Sequence, residues 1–489
     1  MIAGSAAEAR VRRVEFVPEM LLQALLLILS VAAVAAVVTM GIAALAIPVL
    51  VGSVVLAVVA PYRLGLLLLG AAVVLDPGAV DFSGEIAPLL YQLPPGVELP
   101  ITVSPAEIAI VVAFLSALLH RPKDRALDLP WVAALLPLAI VGGFLQGWRL
   151  GGEMNIAYNE ARGLLYGAAA FGLVVLAPRS MIHQLRVVLV ASTAALGAIL
   201  VYRYLAYVRT DRLEIPIEFA FAHENSIMLG AGMAYGLTWL ARPGLSLRDR
   251  LLLLAYVALM MVALAATQRR AATLVALVGM GTVGMLLLTR RPALVIAAAV
   301  PLSIVAAFFL AATWDREYGA TAQPARAIRS QIDPSPRDES SDLYRDLERS
   351  NVIETVRVNR VLGVGFGRPF AQYQSLPNLE SFWPLQTYTP HQNILWLWLK
   401  MGLVGLSAFL ALVALALSRA LAVVRSSRTL EPRVALGIVV AATLLMYLAF
   451  ATVDLALVGA RGSVPLAVAL GVAFALPRPS EPREREPAE

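Results

Sequence analysis

The chain has 489 residues, 59% of them hydrophobic and only 15% charged, with a mean hydropathy of +0.77. Soluble domains carry about 25% charged residues, so composition excludes an ordinary soluble globular protein. The absence of cysteine excludes disulfides, thiolate metal sites and cysteine nucleophiles. The net charge of +6 is read as membrane topology rather than nucleic-acid binding, because basic residues beside apolar helices set orientation.

In chain order, Arg10, Arg12 and Arg13 precede an apolar run too long for a signal-peptide core, so it reads as an uncleaved first span. Apolar runs predict spans at roughly 20–38, 42–60, 64–76, 104–119, 130–148, 161–177, 186–207, 222–241, 250–268, 271–288, 292–312, 391–417, 434–457 and 461–476, about fourteen in all. The third is short and fits a re-entrant segment as well. None alternates as barrel strands do, so the predicted fold class is an all-α polytopic membrane protein. "HRPKDR", "APRSMIHQLR", "ARPGLSLRDR", "TRRP" and "SRALAVVRSSR" are basic inner loops, and they place both termini in the cytoplasm.

Four regions follow: an N-terminal transmembrane bundle over 1–312, a large extracytoplasmic loop over 313–390, C-terminal transmembrane helices over 391–476, and a Pro- and charge-rich tail over 477–489 expected to be disordered. A second long outer segment covers 76–105. Within 313–390, "SSDLYRDLERSNVIETVRVNRVLG" predicts an amphipathic helix with Leu343, Leu347, Val352, Val356 and Val361 near helical spacing. Ser340 or Ser341 is its expected cap, and Gly363, Gly365 and Gly367 end it. The "GVGFG" turn lacks the βαβ setting of a dinucleotide loop.

Ionisable residues then gather on one predicted side. "NEARGLLYG" carries Glu160 and Arg162, "AHENSIMLG" carries His223, Glu224 and Asn225, "TQRRAATL" carries Arg269 and Arg270, and "TPHQN" carries His391 and Asn393. The loop helix adds Arg345 and Arg349. All are expected at the outer face, which suits a site at the outer leaflet better than a path through the midplane. Taken alone, Arg162 and Arg203 read as snorkelling arginines. His391 alone is equally an interfacial histidine, and Lys400 pairs with Asp454 as a structural ion pair. Arg269 and Arg270 stand where basic residues are scarce, so topology does not account for them. His120 and His183 read as solvated, "DRE" at 315–317 is weak as an ion site, and Gly402 with Gly405 reads as a small-residue packing pair.

Guanidinium groups are planar, permanently charged donors suited to phosphate oxygens. A cluster of them at the outer leaflet is expected to hold the pyrophosphate of a lipid carrier and neutralise its growing charge as it leaves. A histidine nearby is suited to take the proton of an acceptor hydroxyl. No metal or cofactor is called for.

With these motifs the chain resembles the O-antigen ligase/polymerase family of membrane glycosyltransferases over roughly 150–410. "PHQNILWLWLKMGLVG" is similar to that family's P-H-N-x-x-L…E-x-G-x-x-G segment, "YRDLERSNVIETVRVNRVLGVGFG" to its arginine–helix–G-x-G pattern, and "RRAATL" to its S-R-G element. "ARGLLYG" and "HENSIMLG" resemble its weaker earlier motifs. Gln392, Lys400 and Arg269 depart from the usual asparagine, glutamate and serine. The resemblance implies a GT-C-like bundle in the cytoplasmic (inner) membrane. It implies glycan transfer from undecaprenyl pyrophosphate to a glycan or glycolipid acceptor at the outer face, without a metal and with inversion. It gives His391 the catalytic part and Arg270, Arg345 and Arg162 the pyrophosphate contacts. The candidate substrate-binding set is Arg162, Arg269, Arg270, Arg345, His223, Asn225 and Asn393. The alternative is a lipid-linked oligosaccharide flippase; a membrane scaffold leaves the arginines unexplained.

Overall fold

The computed structural model describes residues 46–79, 81–91, 103–120, 129–178, 181–208, 221–316, 319–379, 381 and 383–476. The span expected at 20–38, the N-terminal arginines, the inner loop at 121–125 and the tail at 477–489 lie outside the described residues. The described residues form helices and no strand: α1 (Ala46–Val59), α2 (Pro61–Val74), α3 (Phe82–Ile86), α4 (Pro88–Tyr91), α5 (Pro105–Leu119), α6 (Val132–Arg149), α7 (Met154–Leu176), α8 (Met181–Arg203), α9 (Asn225–Leu240), α10 (Leu247–Ala266), α11 (Arg270–Leu288), α12 (Pro292–Thr313), α13 (Gln323–Arg329), α14 (Pro336–Val358), α15 (Asn393–Arg425), α16 (Pro432–Ala451) and α17 (Ala460–Ala475). A π-helical turn, Tyr204–Val208, continues α8.

Seven of these are long and apolar enough to cross a membrane: α6, α8 with its π turn, α10, α11, α12, α15 and α16. α1, α2, α5 and α17 are shorter apolar helices. This is an integral membrane protein by length and composition; against the expected fourteen or so spans, seven helices among the described residues have full length, so that count is not reached by them. α16 is the most buried of the seven, packed by α9, α11, α15 and α17. α12 lies at the opposite extreme. Of its residues only Thr313 is buried, and Leu294, Val300, Leu302, Val305 and Phe308 face outward, as a lipid-bathed helix requires.

The segment between α12 and α15 folds onto the bundle through α13 and α14. α14 starts earlier than expected: Ser335 is its cap, accepting from the Asp338 amide, and Ser340 and Ser341 lie inside the helix. Val352 and Val356 are its buried stripe, whereas Leu343 and Val361 are exposed. Val352 and Val356 pack with Tyr344, Val364, Phe370 and Leu376 against Leu399 of α15 in a second small core.

After α14 the chain makes a tight turn with Gly363, Gly365 and Gly367 all at positive φ. Its backbone is stitched to two spans, Val364 N donating to Leu399 O at 2.7 Å and Phe366 N to Gly143 O at 3.1 Å. Gly402 breaks α15 at φ +65°, ψ −168°, where a Cβ would lie 2.0 Å from Val361 O. The freed Leu403 amide donates to Arg360 O at 3.0 Å. Gly402 is therefore a hinge facing the turn rather than half of a helix-packing pair.

Candidate functional site

His223, Asn225, Arg269, Arg270, His391 and Asn393 lie at one end of the bundle, where α9, α11 and α15 begin and α16 ends. The loop at 452–459 ties them together. Asn393 Nδ2 donates to Asp454 O at 2.7 Å, and Asn393 Oδ1 accepts from Leu457 N at 2.9 Å. Asn393 is fully buried, and its amide fixes the start of α15 to this loop. The Asp454 carboxylate bonds His223 Nδ1 at 2.7 Å.

Two histidine–carboxylate pairs result. His391 lies two residues before Asn393. Its amide donates to Glu348 Oε2 at 2.9 Å, and its Nδ1 lies 3.2 Å from both Glu348 oxygens. The ring stands edge-on to Tyr344, at 5.7 Å between centroids, and to Trp383 at 4.7 Å. Burial, then the Glu348 charge, pushes the Tyr344 phenol up to about 12, so it remains neutral. A carboxylate only accepts, so Nδ1 carries the proton and Nε2 its lone pair in the neutral ring. Nε2 has no hydrogen-bond partner among the described residues.

His223 differs at that nitrogen. Its Nδ1 bonds Asp454, and Arg269 Nη1 lies 3.0 Å from Nδ1 and 3.2 Å from Nε2. Arg269 also donates to Phe221 O. Burial raises the Asp454 carboxyl, but the His223 charge and hydrogen bond and the Arg269 charge outweigh it and hold it down to about 2. Arg269, His223 and Asp454 form a cation–imidazole–carboxylate cluster in which Arg269 Nη1 lies against both ring nitrogens.

The remaining arginines divide. Arg270 opens α11 after a turn in which Gln268 is left-handed (φ 53°). It donates to Ser330 Oγ and to Asp342 Oδ1, both at 3.3 Å, and lies 3.8 Å from Asp338. Asp338 feels burial first, but its bond to Ser335 and the charges of Arg326 and Arg270 leave it below the ordinary value. Arg345, one turn further along α14, has only a long 4.0 Å contact to Asp342, and its side chain is 36% exposed. Asp338, Asp342, Arg345 and Glu348 follow helical spacing, so one stripe of α14 carries the anchor for Arg270 at one end and the partner of His391 at the other. Arg162 turns to α5 instead, 3.9 Å from Glu107, which also accepts from Tyr158 at 3.0 Å.

Two sequence expectations change, and Asn225 gains a partner that the sequence did not show. Lys400 pairs with Glu160 at 2.8 Å, not with Asp454, and both are fully buried. Glu160 Oε2 accepts from Gly367 N at 2.7 Å and Lys400 Nζ donates to Arg368 O at 2.5 Å, so the pair clamps the glycine turn between α7 and α15. Arg203 does not snorkel: it is 1% exposed, bonded to Asp81 at 2.6 Å, Asp76 at 3.1 Å and Ser83 at 2.6 Å. Asn225 Oδ1 accepts from Arg461 at 2.7 Å, and Arg461 pairs with Asp76 at 3.0 Å, so Asn225 belongs to that buried network. Sequence reasoning missed Glu348, which reads as part of a solvated D-L-E-R run, and the Asp454 carboxylate as partner of His223. Among the described residues no group of three metal-ligating side chains assembles.

The opposite end is different in kind. Arg290 donates to the backbone carbonyls of Val424 and Ser427, and Arg186 and Arg242 flank the Trp239 ring at 5.7 Å each. α11, 19 residues long, separates Arg270 from this basic end by about 28 Å at 1.5 Å per residue.

The fold and site define a class: an all-helical integral membrane protein with a histidine–carboxylate and arginine site at one end of its spans. Residues 255–410, about a third of the chain, match the model of the O-antigen ligase family. A search of curated proteins finds no match. The match takes in Arg269, Arg270, Arg345 and His391, together with Glu348 and Lys400, whereas Arg162 and His223 precede it. It carries an O-antigen ligase or polymerase type of function in general terms.

Proposed function

We propose that the chain is a membrane glycosyltransferase that moves a glycan from a polyprenyl diphosphate, of undecaprenyl type, to an acceptor hydroxyl at the outer face of the cytoplasmic membrane. The observation that carries this reading is the pairing of an open imidazole nitrogen on His391 with an arginine, Arg345, one turn of α14 away from the carboxylate that holds that imidazole. The reaction is a displacement at the anomeric carbon. His391 Nε2 takes the acceptor O–H proton, the acceptor oxygen bonds to that carbon, and its bond to the diphosphate breaks with the electron pair passing to the phosphate oxygen. Arg345 and Arg270 receive the leaving charge, with Arg269 behind them. A single displacement inverts the anomeric centre.

Arg270 meets the diphosphate only by sharing or releasing Asp342, whose side chain is 44% exposed. Asn393, Asn225, Glu160 and Lys400 support the frame. The basic end faces the cytoplasm, which puts both termini there and 313–390 outside. The flippase reading lacks support in kind: the polar groups on which it would depend concentrate at one end. In the test, purified protein with a polyprenyl-diphosphate glycan releases the diphosphate carrier and attaches or lengthens the glycan; translocation of the donor without release would overturn the proposal.

A further inference from the structure

Glu348 is 2% exposed and lies 43 residues before His391, yet one carboxylate meets both the backbone amide and the ring of that residue. The double contact fixes the peptide that carries the ring and the torsions that aim it. It also selects the tautomer, since an acceptor-only partner at Nδ1 leaves the lone pair on Nε2. Tyr344 and Trp383 press the ring edge-on from α14 and from the segment before α15, which removes its remaining freedom. The titratable groups facing the ring are Glu348 and Tyr344 on α14; the preceding segment contributes the uncharged indole of Trp383. His223 provides the internal contrast: a carboxylate meets its Nδ1 too, but Arg269 Nη1 lies 3.0 Å from Nδ1 and 3.2 Å from Nε2, so neither ring nitrogen is open.

We infer that Glu348 is a positioning residue for the transfer, holding His391 in the tautomer and orientation of a general base and offsetting the positive charge it gains with the acceptor proton. This rests on the proposed role of His391. The proton moves from acceptor oxygen to Nε2 and does not pass on to Glu348, which remains a carboxylate throughout.

The experiment compares wild-type protein with Glu348→Gln, Glu348→Asp and His391→Ala in the transfer assay, with donor KM, kcat and the pH profile read for each. Glu348→Gln keeps shape and an accepting oxygen for the His391 amide but loses the charge and admits the wrong tautomer. It is expected to lower kcat by about 10²-fold with donor KM within about twofold, and to move the half-maximal rate to a different pH. Glu348→Asp, which keeps the charge, is expected to recover at least about tenfold of that loss. If Glu348→Gln does not accumulate as folded protein, the kcat and pH profile of Glu348→Asp carry the comparison. An unchanged kcat in Glu348→Gln while His391→Ala is inactive would overturn the inference alone, as would equal losses in Glu348→Gln and Glu348→Asp with an unmoved pH profile. Full activity in His391→Ala would overturn the reading beneath it.

Discussion

His391 and His223 have the same kind of carboxylate partner, yet His391 Nε2 has no hydrogen-bond partner among the described residues, whereas Arg269 lies against both nitrogens of His223, and under the proposed function that difference favours His391 as the base. His223 is better suited to hold Asp454 and Arg269 in place. The Asp454 carboxyl lies at about 2 against an ordinary 3.8, a depressed folded value, so its contribution to stability is full above pH about 4 and fades as pH falls toward 2. The shift corresponds to about 2 kcal/mol. His223→Ala should therefore lower the unfolding temperature at neutral pH and flatten the acid limb of the stability profile between pH 4 and 2, read by thermal unfolding in micelles; an unaltered limb counts against the pair. The sequence made both histidines visible because four histidines in 489 residues stand out. Their carboxylates were hidden because Glu348 and Asp454 are distant in the chain or had a nearer-seeming partner, and pairing across helices leaves no local pattern.

At the scale of elements, apolar length was readable and backbone exceptions were not. Most spans lie where the hydropathy puts them, because lipid forces the backbone of each apolar run to bond within itself. Gly402 looked like a packing residue, since a G-x-x-G spacing is the same whether the helix is straight or broken. Its φ of +65° and the proximity of Val361 O show a position only glycine fills. Gly402→Ala is expected to cost at least about 2 kcal/mol and to lower the thermal midpoint, with the turn at 363–367 and its hold on α15 disturbed together. Gly281, whose added Cβ meets nothing within 4 Å, is the control, and equal tolerance of both substitutions would contradict the hinge. Lys400 likewise could be recognised as a buried ion-pair member from its depth, but not its partner: Glu160 reaches it only because α7 and α15 converge on the same glycine turn.

For the whole molecule, the two ends are chemically unequal, with histidine–carboxylate and arginine networks at one and carbonyl-bound or ring-stacked arginines at the other. Orientation is tested directly because the chain has no cysteine. Ile332→Cys, 73% exposed between α13 and α14, should react with an impermeant thiol reagent added outside intact cells, whereas Leu247→Cys, 74% exposed at the start of α10, should react only after lysis. The reverse pattern would put the site in the cytoplasm.

The most direct measurement separates holding the diphosphate from activating the acceptor. His391→Ala and Arg345→Ala are each given a polyprenyl-diphosphate glycan, with donor binding and glycan transfer read independently. The account predicts that His391→Ala binds donor as wild type does but transfers at least about 10²-fold more slowly, and that Arg345→Ala weakens binding and slows transfer together. Transfer at the wild-type rate in His391→Ala, or unchanged binding and rate in Arg345→Ala, would contradict it.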